Sequence, residues 1–388
     1  METRNNMDYN TIKWKKHNIK KLSDGRPYQD IHSEVCILTE SWNCVTAVPF
    51  IAYMPEIGRI LALINEGYPH HGMVLSSDDL GTTWSEPEYI HKDFHGNPDI
   101  GFCVGLTYMG NGKAAVMRCE QNEIWFSNDF GSTWGNPVKE PPVFGNKLRY
   151  SAWDPFFVDR CNIKGRTKRL VLAGHVAYGN GYHDTGYYCQ GFIRFSTDEG
   201  WTWGMDTEVP QWRNVNEIAL ARAINGDMIA ACRLDRQKEY IGCIDHYEGL
   251  GISISTDDGY TWSDIRILYD FGRHHPSMVV MQDGSIIMTY VVRVGYPDTN
   301  DGFKQFGIEA VASFDNGRSW DMDNRYILAR WQSNRKGDNY WWGSCQSTSS
   351  VLLPDGNILT AFGTGYRSQP NENGLPSPRD IGLIKWKV

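Results

Sequence analysis

The stretch Ser255-Thr256-Asp257-Asp258-Gly259-Tyr260-Thr261-Trp262 decides how this 388-residue sequence reads, because four other stretches keep its pattern. They are Ser77-x-Asp79-x-Gly81-x-Thr83-Trp84, Ser127-x-Asp129-x-Gly131-x-Thr133-Trp134, Ser196-x-Asp198-x-Gly200-x-Thr202-Trp203 and Ser313-x-Asp315-x-Gly317-x-Ser319-Trp320. Each follows an extended segment such as Gly251-Ile-Ser-Ile-Ser255. The residue types suit a tight turn at a strand end. Ser and Asp bond the turn's own backbone, Gly supplies a positive φ, and Trp lays a large apolar ring over the hairpin. Successive motif aspartates lie 50, 69, 59 and 58 residues apart, the length of one small antiparallel sheet. Sheets repeated at such a period predict an all-β propeller.

Working outward, six copies of an inner strand, a tight turn and a second strand are readable. They begin near Thr46, Gly101, Trp153, Asn216, His274 and Ser347, and several reach an Asn225-Gly226, Asp283-Gly284 or Asp355-Gly356 turn. Six repeats predict a six-bladed β-propeller forming a single domain over residues 1–388, with no room for a second core. Residues 1–43 precede the first repeat and carry two candidate strands, Thr11–Trp14 and Ser33–Thr39, around the turn-rich Ser23–Pro27. The C-terminal strand Ile381–Val388 has no motif turn after it. An N-terminal strand is therefore expected to complete the last sheet, so that the ring closes without a free edge.

Composition narrows the function. The formal charge is −8, and the basic run Lys13–Lys21 reads as a solvated strand, so nothing predicts binding to nucleic acid or to an anionic membrane. Nine cysteines without a C-x-x-C pair predict reduced thiols rather than disulfides or zinc, and no cofactor or metal is expected. The first residues lack an apolar targeting segment, which gives a cytoplasmic expectation. Fifteen Trp exceed what five turns need, leaving Trp153, Trp341 and Trp342 as possible stacking platforms.

The repeated turn resembles the Asp box, S-x-D-x-G-x-[TS]-W, of the sialidase superfamily, and the resemblance covers about residues 44–388. It implies that the box aspartates are structural, on the outside of the blades. It also implies a fourth-blade Glu followed sixteen residues later by an Arg. Glu217 and Arg233 have that spacing with the Asn225-Gly226 turn between them. In sialidases this Glu assists a tyrosine nucleophile and this Arg binds the substrate carboxylate. The rest of that pattern is not kept. Ala47 stands where the first carboxylate-binding arginine is expected, Gln305 or Phe306 where the third is, and Gln346-Ser347-Thr348 where the tyrosine is. The departures predict an exo-acting glycoside hydrolase for a sugar other than sialic acid, with two carboxylates used as in the exo-arabinanases of the same scaffold. An exo-α-sialidase, a non-catalytic carbohydrate- or protein-binding propeller and a polysaccharide lyase are the alternative readings.

Counting back from the turn glycines aligns Glu217, His275 and Ser347, with Asp154 at a similar place in the third repeat. Inner strands surround the axis and their first residues share one mouth. Asp154 and Glu217 are thus the expected catalytic pair, with Arg233, His274, His275, Arg293, His175, Trp153, Arg118, His70, His71 and Tyr366 as candidate substrate contacts.

Overall fold

The computed structural model describes residues 12–67, 71–119, 122–144, 150–160, 169–177, 189–235, 248–296, 305–334, 347–371 and 377–388. The described residues form strands, turns and irregular segments and contain no helix. A hairpin of β1 (Lys15–Ser23) and β2 (Arg26–Ile37) leads into sheets laid down in chain order. The first holds β3 (Thr46–Met54), β4 (Arg59–Glu66), β5 (His71–Ser77) and β6 (Glu88–Tyr89). The second holds β7 (Cys103–Gly110), β8 (Lys113–Arg118), β9 (Glu123–Ser127) and β10 (Val138–Lys139). The third holds β11 (Tyr150–Ser151), β12 (Phe157–Asp159), β13 (Arg169–Ala177), β14 (Cys189–Ser196) and β15 (Gly204–Arg213). The fourth holds β16 (Val215–Arg222), β17 (Met228–Asp235), β18 (Glu248–Ser255) and β19 (Arg266–Tyr269).

The remaining strands are β20 (Arg273–Val280), β21 (Ile286–Tyr296), β22 (Gln305–Ser313), β23 (Tyr326–Gln332), β24 (Thr348–Leu352), β25 (Ile358–Tyr366) and β26 (Arg379–Trp386). With β1 and β2 they make one nine-stranded sheet in the order β20-β21-β22-β23-β1-β2-β26-β25-β24. The whole is all-β and propeller-like. Contacts between innermost strands run from β3 to β7, β12, β16, β20 and β24, and from β24 back to β3.

The motif turns show why the sheets stack. In all five, the Ser hydroxyl donates to Asp Oδ1 at 2.8–3.0 Å and accepts the Gly N–H at 2.7–2.9 Å. The following Thr or Ser donates its N–H to Oδ1 and its hydroxyl to Oδ2. The glycine also lets the turn close on the sheet before it. A Cβ on Gly131 would lie 2.5 Å from Leu61 of the first sheet, and one on Gly317 would lie 2.6 Å from Ile229 of the fourth. Each turn is therefore also a latch between neighbours. At Gly81 the matching place is taken by Trp14, whose Nε1 donates to the Gly81 carbonyl at 2.9 Å.

β2 pairs with β26 from Glu34 opposite Lys385 to Ile37 opposite Gly382. Two details differ from the sequence expectation. Thr11 lies outside the described residues and 12–14 are not a strand, whereas β1 starts at Lys15 and β2 already at Arg26. The cause is the Asp24-Gly25 turn, with φ of 49° and 72°, which pairs everything on either side of it into one long hairpin. β2 thus lies beside the C-terminal strand, as expected, and β1 also reaches β23 through Lys20–Ile327 and Lys21–Tyr326, so the hairpin continues the pairing into the nine-stranded sheet. Its lysines face water while Ile19 and Leu22 are buried, so the basic run is a structural strand.

The six described cysteines, Cys36, Cys44, Cys103, Cys119, Cys189 and Cys232, are free thiols. Burial pushes the thiols of Cys36, Cys103, Cys189 and Cys232 well up, so they stay protonated.

Deleting residues 1–43 uncovers the β26 edge and removes the buried Ile19, Leu22, Cys36, Leu38 and Trp42. At about 1.5–3 kcal/mol for each large buried apolar side chain, the thermal midpoint of the whole molecule should fall by roughly 10 °C or more. An unchanged midpoint would show that the hairpin is an ornament.

Candidate active site

The inner strands break at matching places. The ladder slips in β3 between Ala47 and Phe50, in β7 between Val104 and Leu106, in β16 between Asn216 and Ile218, and in β20 between His274 and Ser277. Within the breaks Val48, Gly105, Glu217 and His275 have φ of 48°, 68°, 44° and 48°. A left-handed backbone is rare for residues other than Gly, and a bulge of this kind re-aims a side chain out of the strand's alternation. A Cβ on Gly105 would lie 2.8 Å from the Asp154 carbonyl oxygen, so glycine there lets the segment ahead of β12 approach. Asp154 is thereby placed near the residues the bulges present.

Arg233 lies at the centre of this group. It donates to Glu217 Oε1 at 2.7 Å and Asp235 Oδ1 at 3.1 Å, and its Nη2 is 2.7 Å from Glu248 Oε1. Arg293 donates to the other oxygen of Glu248 at 3.2 Å, and Asn216 donates to Asp235 Oδ2 at 2.6 Å. His274 Nδ1 is 3.2 Å from Glu217 Oε2, so both oxygens of Glu217 are held. His275 Nδ1 accepts the Thr348 N–H at 3.4 Å, and its Nε2 lies 3.9 Å from Asp154 Oδ1. All of these acidic and histidine side chains, and both arginines, are buried.

The two expected catalytic carboxyls are pushed in opposite directions. Burial raises the pKa of Asp154 well above the usual carboxylate range and the charge of Glu217 adds to it, against one backbone N–H from Ile218. Glu217 is also penalised by burial, but Arg233 and the two histidines outweigh that and hold it well below the ordinary range. Burial lowers His274 to about 3, Arg293 adding to the effect, so it is neutral at pH 7. Burial and Arg233 likewise lower His175 to about 4. His275 is lowered, first by burial. An ionised Glu217 only accepts, so His274 carries its proton on Nδ1, while His275, accepting at Nδ1, carries it on Nε2.

Asp154, Glu217, Arg233, His274, His275, Arg293 and His175 are thus brought together. The other candidates make contacts of their own. Arg118 pairs with Glu123 at 3.3 Å, His71 meets the edge of Tyr89, Trp153 packs on Phe102, and Tyr366 lies under the Arg379 guanidinium. His70, Trp341, Trp342 and Gln346 lie outside the described residues. Sequence reasoning missed Asp235 and Glu248. Asp235 was readable, since it sits two residues after Arg233 and so on the same strand face. Glu248 pairs with Asp235 across β17 and β18, and a strand register of that kind leaves no local signal. Among the described residues no group of three or more His, Cys, Asp or Glu could hold a metal ion.

No protein-family model matches the chain, and no curated protein is detectably similar to it. Solved structures do match. A protein of unknown function from Dyadobacter fermentans DSM 18053 is 15% identical with a TM-score of 0.61, over 96% of this chain and 99% of that one. The NanB sialidase from Streptococcus pneumoniae is 13% identical with a TM-score of 0.60, over 90% and 69%. A Hadza microbial sialidase is 16% identical with a TM-score of 0.59, over 89% and 66%. At such identities the likeness is one of fold, a propeller-like fold shared with sialidases.

The opposed carboxyls should be visible in stability. A raised Asp154 destabilises the folded state above the ordinary Asp pKa of about 3.9 and increasingly so up to its folded value, and it has no effect below both. Asp154→Asn should therefore raise the unfolding midpoint at pH 7 and lose that advantage near pH 3.5–4. The depressed Glu217 stabilises above about pH 4.3 and loses that as pH falls through its folded value, so Glu217→Gln should destabilise at pH 7 by roughly 3 kcal/mol. Denaturant unfolding across pH checks both; a destabilising Asp154→Asn at pH 7 would contradict the assignment.

Proposed function

We propose that this chain is a glycoside hydrolase on a six-bladed propeller, acting at the end of a glycan on a sugar other than a sialic acid. The nine-stranded sheet supports the blade count: β20–β23 and β24–β26 with β2 are two four-stranded units joined by β1, which with the four other sheets makes six. The observation that carries the chemistry is a pair of buried carboxyls in opposed surroundings, Glu217 bonded to Arg233 and His274 while Oδ2 of Asp154 has no partner, which favours one ionised and one neutral carboxyl as glycoside cleavage needs.

Asp154 gives its proton to the glycosidic oxygen as the bond to the anomeric carbon breaks and its electron pair moves to that oxygen. Glu217, kept ionised by Arg233 and His274, faces the positive charge that develops on the sugar. Water then completes the exchange, returning a proton to Asp154. Burial of both carboxyls suits a chain end better than the middle of a polymer.

The occupied arginines speak for an uncharged sugar. Arg233 already serves three carboxylates and Arg293 one, while Ala47 and Phe306 are buried where carboxylate-binding arginines are expected. A substrate carboxylate would have to compete with Glu217, Asp235 and Glu248 for the same guanidinium.

A panel of aryl arabinofuranosides, rhamnosides, hexosides, uronides and sialosides tests this reading. Turnover is expected on an uncharged member and not on the sialoside, and release of sialic acid at a comparable rate would overturn the substrate assignment. On the active substrate Asp154→Asn and Glu217→Gln should each lower kcat by about 10²–10⁴-fold. Variants within a few fold of the parent would remove both residues from the chemistry, and silence across the panel would favour a binding propeller.

A further inference from the structure

Among the buried polar atoms of the site without a hydrogen-bond partner are Nε2 of His275 and Oδ2 of Asp154, two side chains that approach each other to 3.9 Å. His275 is 1% exposed and Asp154 is 5% exposed, so the protein leaves these atoms unpaired out of reach of bulk water, which ordinarily costs about 1–3 kcal/mol each. The ring is not free to turn away. Its Nδ1 is engaged by the Thr348 N–H, Phe50 packs beside it with ring centroids 6.1 Å apart, and its backbone is held at φ 48° ahead of Pro276. Nε2 lies 3.9 Å from Asp154 Oδ1, longer than a hydrogen bond, so an approach of about 1 Å would close it.

We propose that His275 is a positioning residue for the proton donor: its Nε2–H faces Oδ1, leaves the acid proton on the unpartnered Oδ2, and closes on the carboxylate as that proton moves to the leaving oxygen. The assignment rests on Asp154 acting as the acid in the reaction proposed above. Its contact with substrate is indirect, since it acts through Asp154. The other titratable groups facing Asp154 are Glu217 from β16 and the Cys232 thiol from β17, while Glu217, Arg233 and Arg293 act on His275 itself. Asp154 also accepts the Ile218 backbone N–H, while Glu217, ionised, only accepts, so His275 is the side chain that can add an N–H to Asp154.

A bond that strengthens as the proton leaves is stronger in the transition state than in the ground state, so it lowers the barrier most where the leaving group needs most protonation. His275→Ala should therefore lower kcat about 10–100-fold on a glycoside with a phenyl leaving group, change it little on the 2,4-dinitrophenyl analogue, and leave KM nearly constant. His275→Gln, which keeps a side-chain N–H at that reach, should recover part of the loss. Equal losses on both leaving groups would reduce His275 to a packing residue.

A second measurement needs no substrate, and so separates this inference from the glycosidase reading. Infrared titration should show a protonated carboxyl band that is absent in Asp154→Asn. Its midpoint should move to higher pH in His275→Ala, where the carboxylate loses its donor, and return towards the parent value in His275→Gln. A midpoint that does not move in His275→Ala would overturn the proposal, whatever the panel shows.

Discussion

The centre of this molecule depends on one guanidinium shared among three carboxylates. Arg233 reaches Glu217, Asp235 and Glu248, each drawn from a different strand of the fourth sheet, and it is the main charge that holds Glu217 ionised. Buried ion pairs of this kind are seldom worth their desolvation against a well-packed apolar core. The function of the cluster is therefore positional and electrostatic. It keeps Glu217 charged, and that charge, with burial, keeps Asp154 neutral.

The scaffold makes such a cluster tolerable. Five hydrogen-bonded turns latch sheet to sheet at one end of the strands, and the N-terminal hairpin joins the last two units through β23 and β26. At the other end the inner strands are bulged, with Val48, Glu217 and His275 in a left-handed backbone that costs of order 1–3 kcal/mol apiece. The packing between sheets overcomes that strain, which is concentrated at the mouth of the ring. Apolar Val48 and Gly105 occupy the first two bulges, while Glu217 and His275 occupy later ones.

Much of this was legible in the sequence, and what was not has physical causes. The turns were readable because their chemistry is local, since Ser, Asp, Gly and Thr bond one another within seven residues. The places of Glu217 and His275 followed from counting back from the turn glycines, because one strand length separates each turn from the mouth, and Asp154 was set at a similar place in the third repeat. The spacing of Glu217 and Arg233 was also local, but the employment of Arg233 was not. Its partner Glu248 comes from a third strand, and only the register shows that the guanidinium is already occupied. The opposite tautomers of His274 and His275 were equally invisible, because they depend on Glu217 and on the Thr348 N–H, 57 and 73 residues away. The first strand was misplaced because its lysine-rich outer face masks the alternation that Ile19 and Leu22 carry.

Neutron diffraction from deuterated crystals near pH 7 would locate the protons of Asp154, Glu217 and the two histidines. A deuteron is expected on Asp154 Oδ2 and none on Glu217, with His274 deuterated at Nδ1 and His275 at Nε2. A bare Asp154 beside a deuterated Glu217, or a doubly deuterated His275, would contradict this placement of the protons.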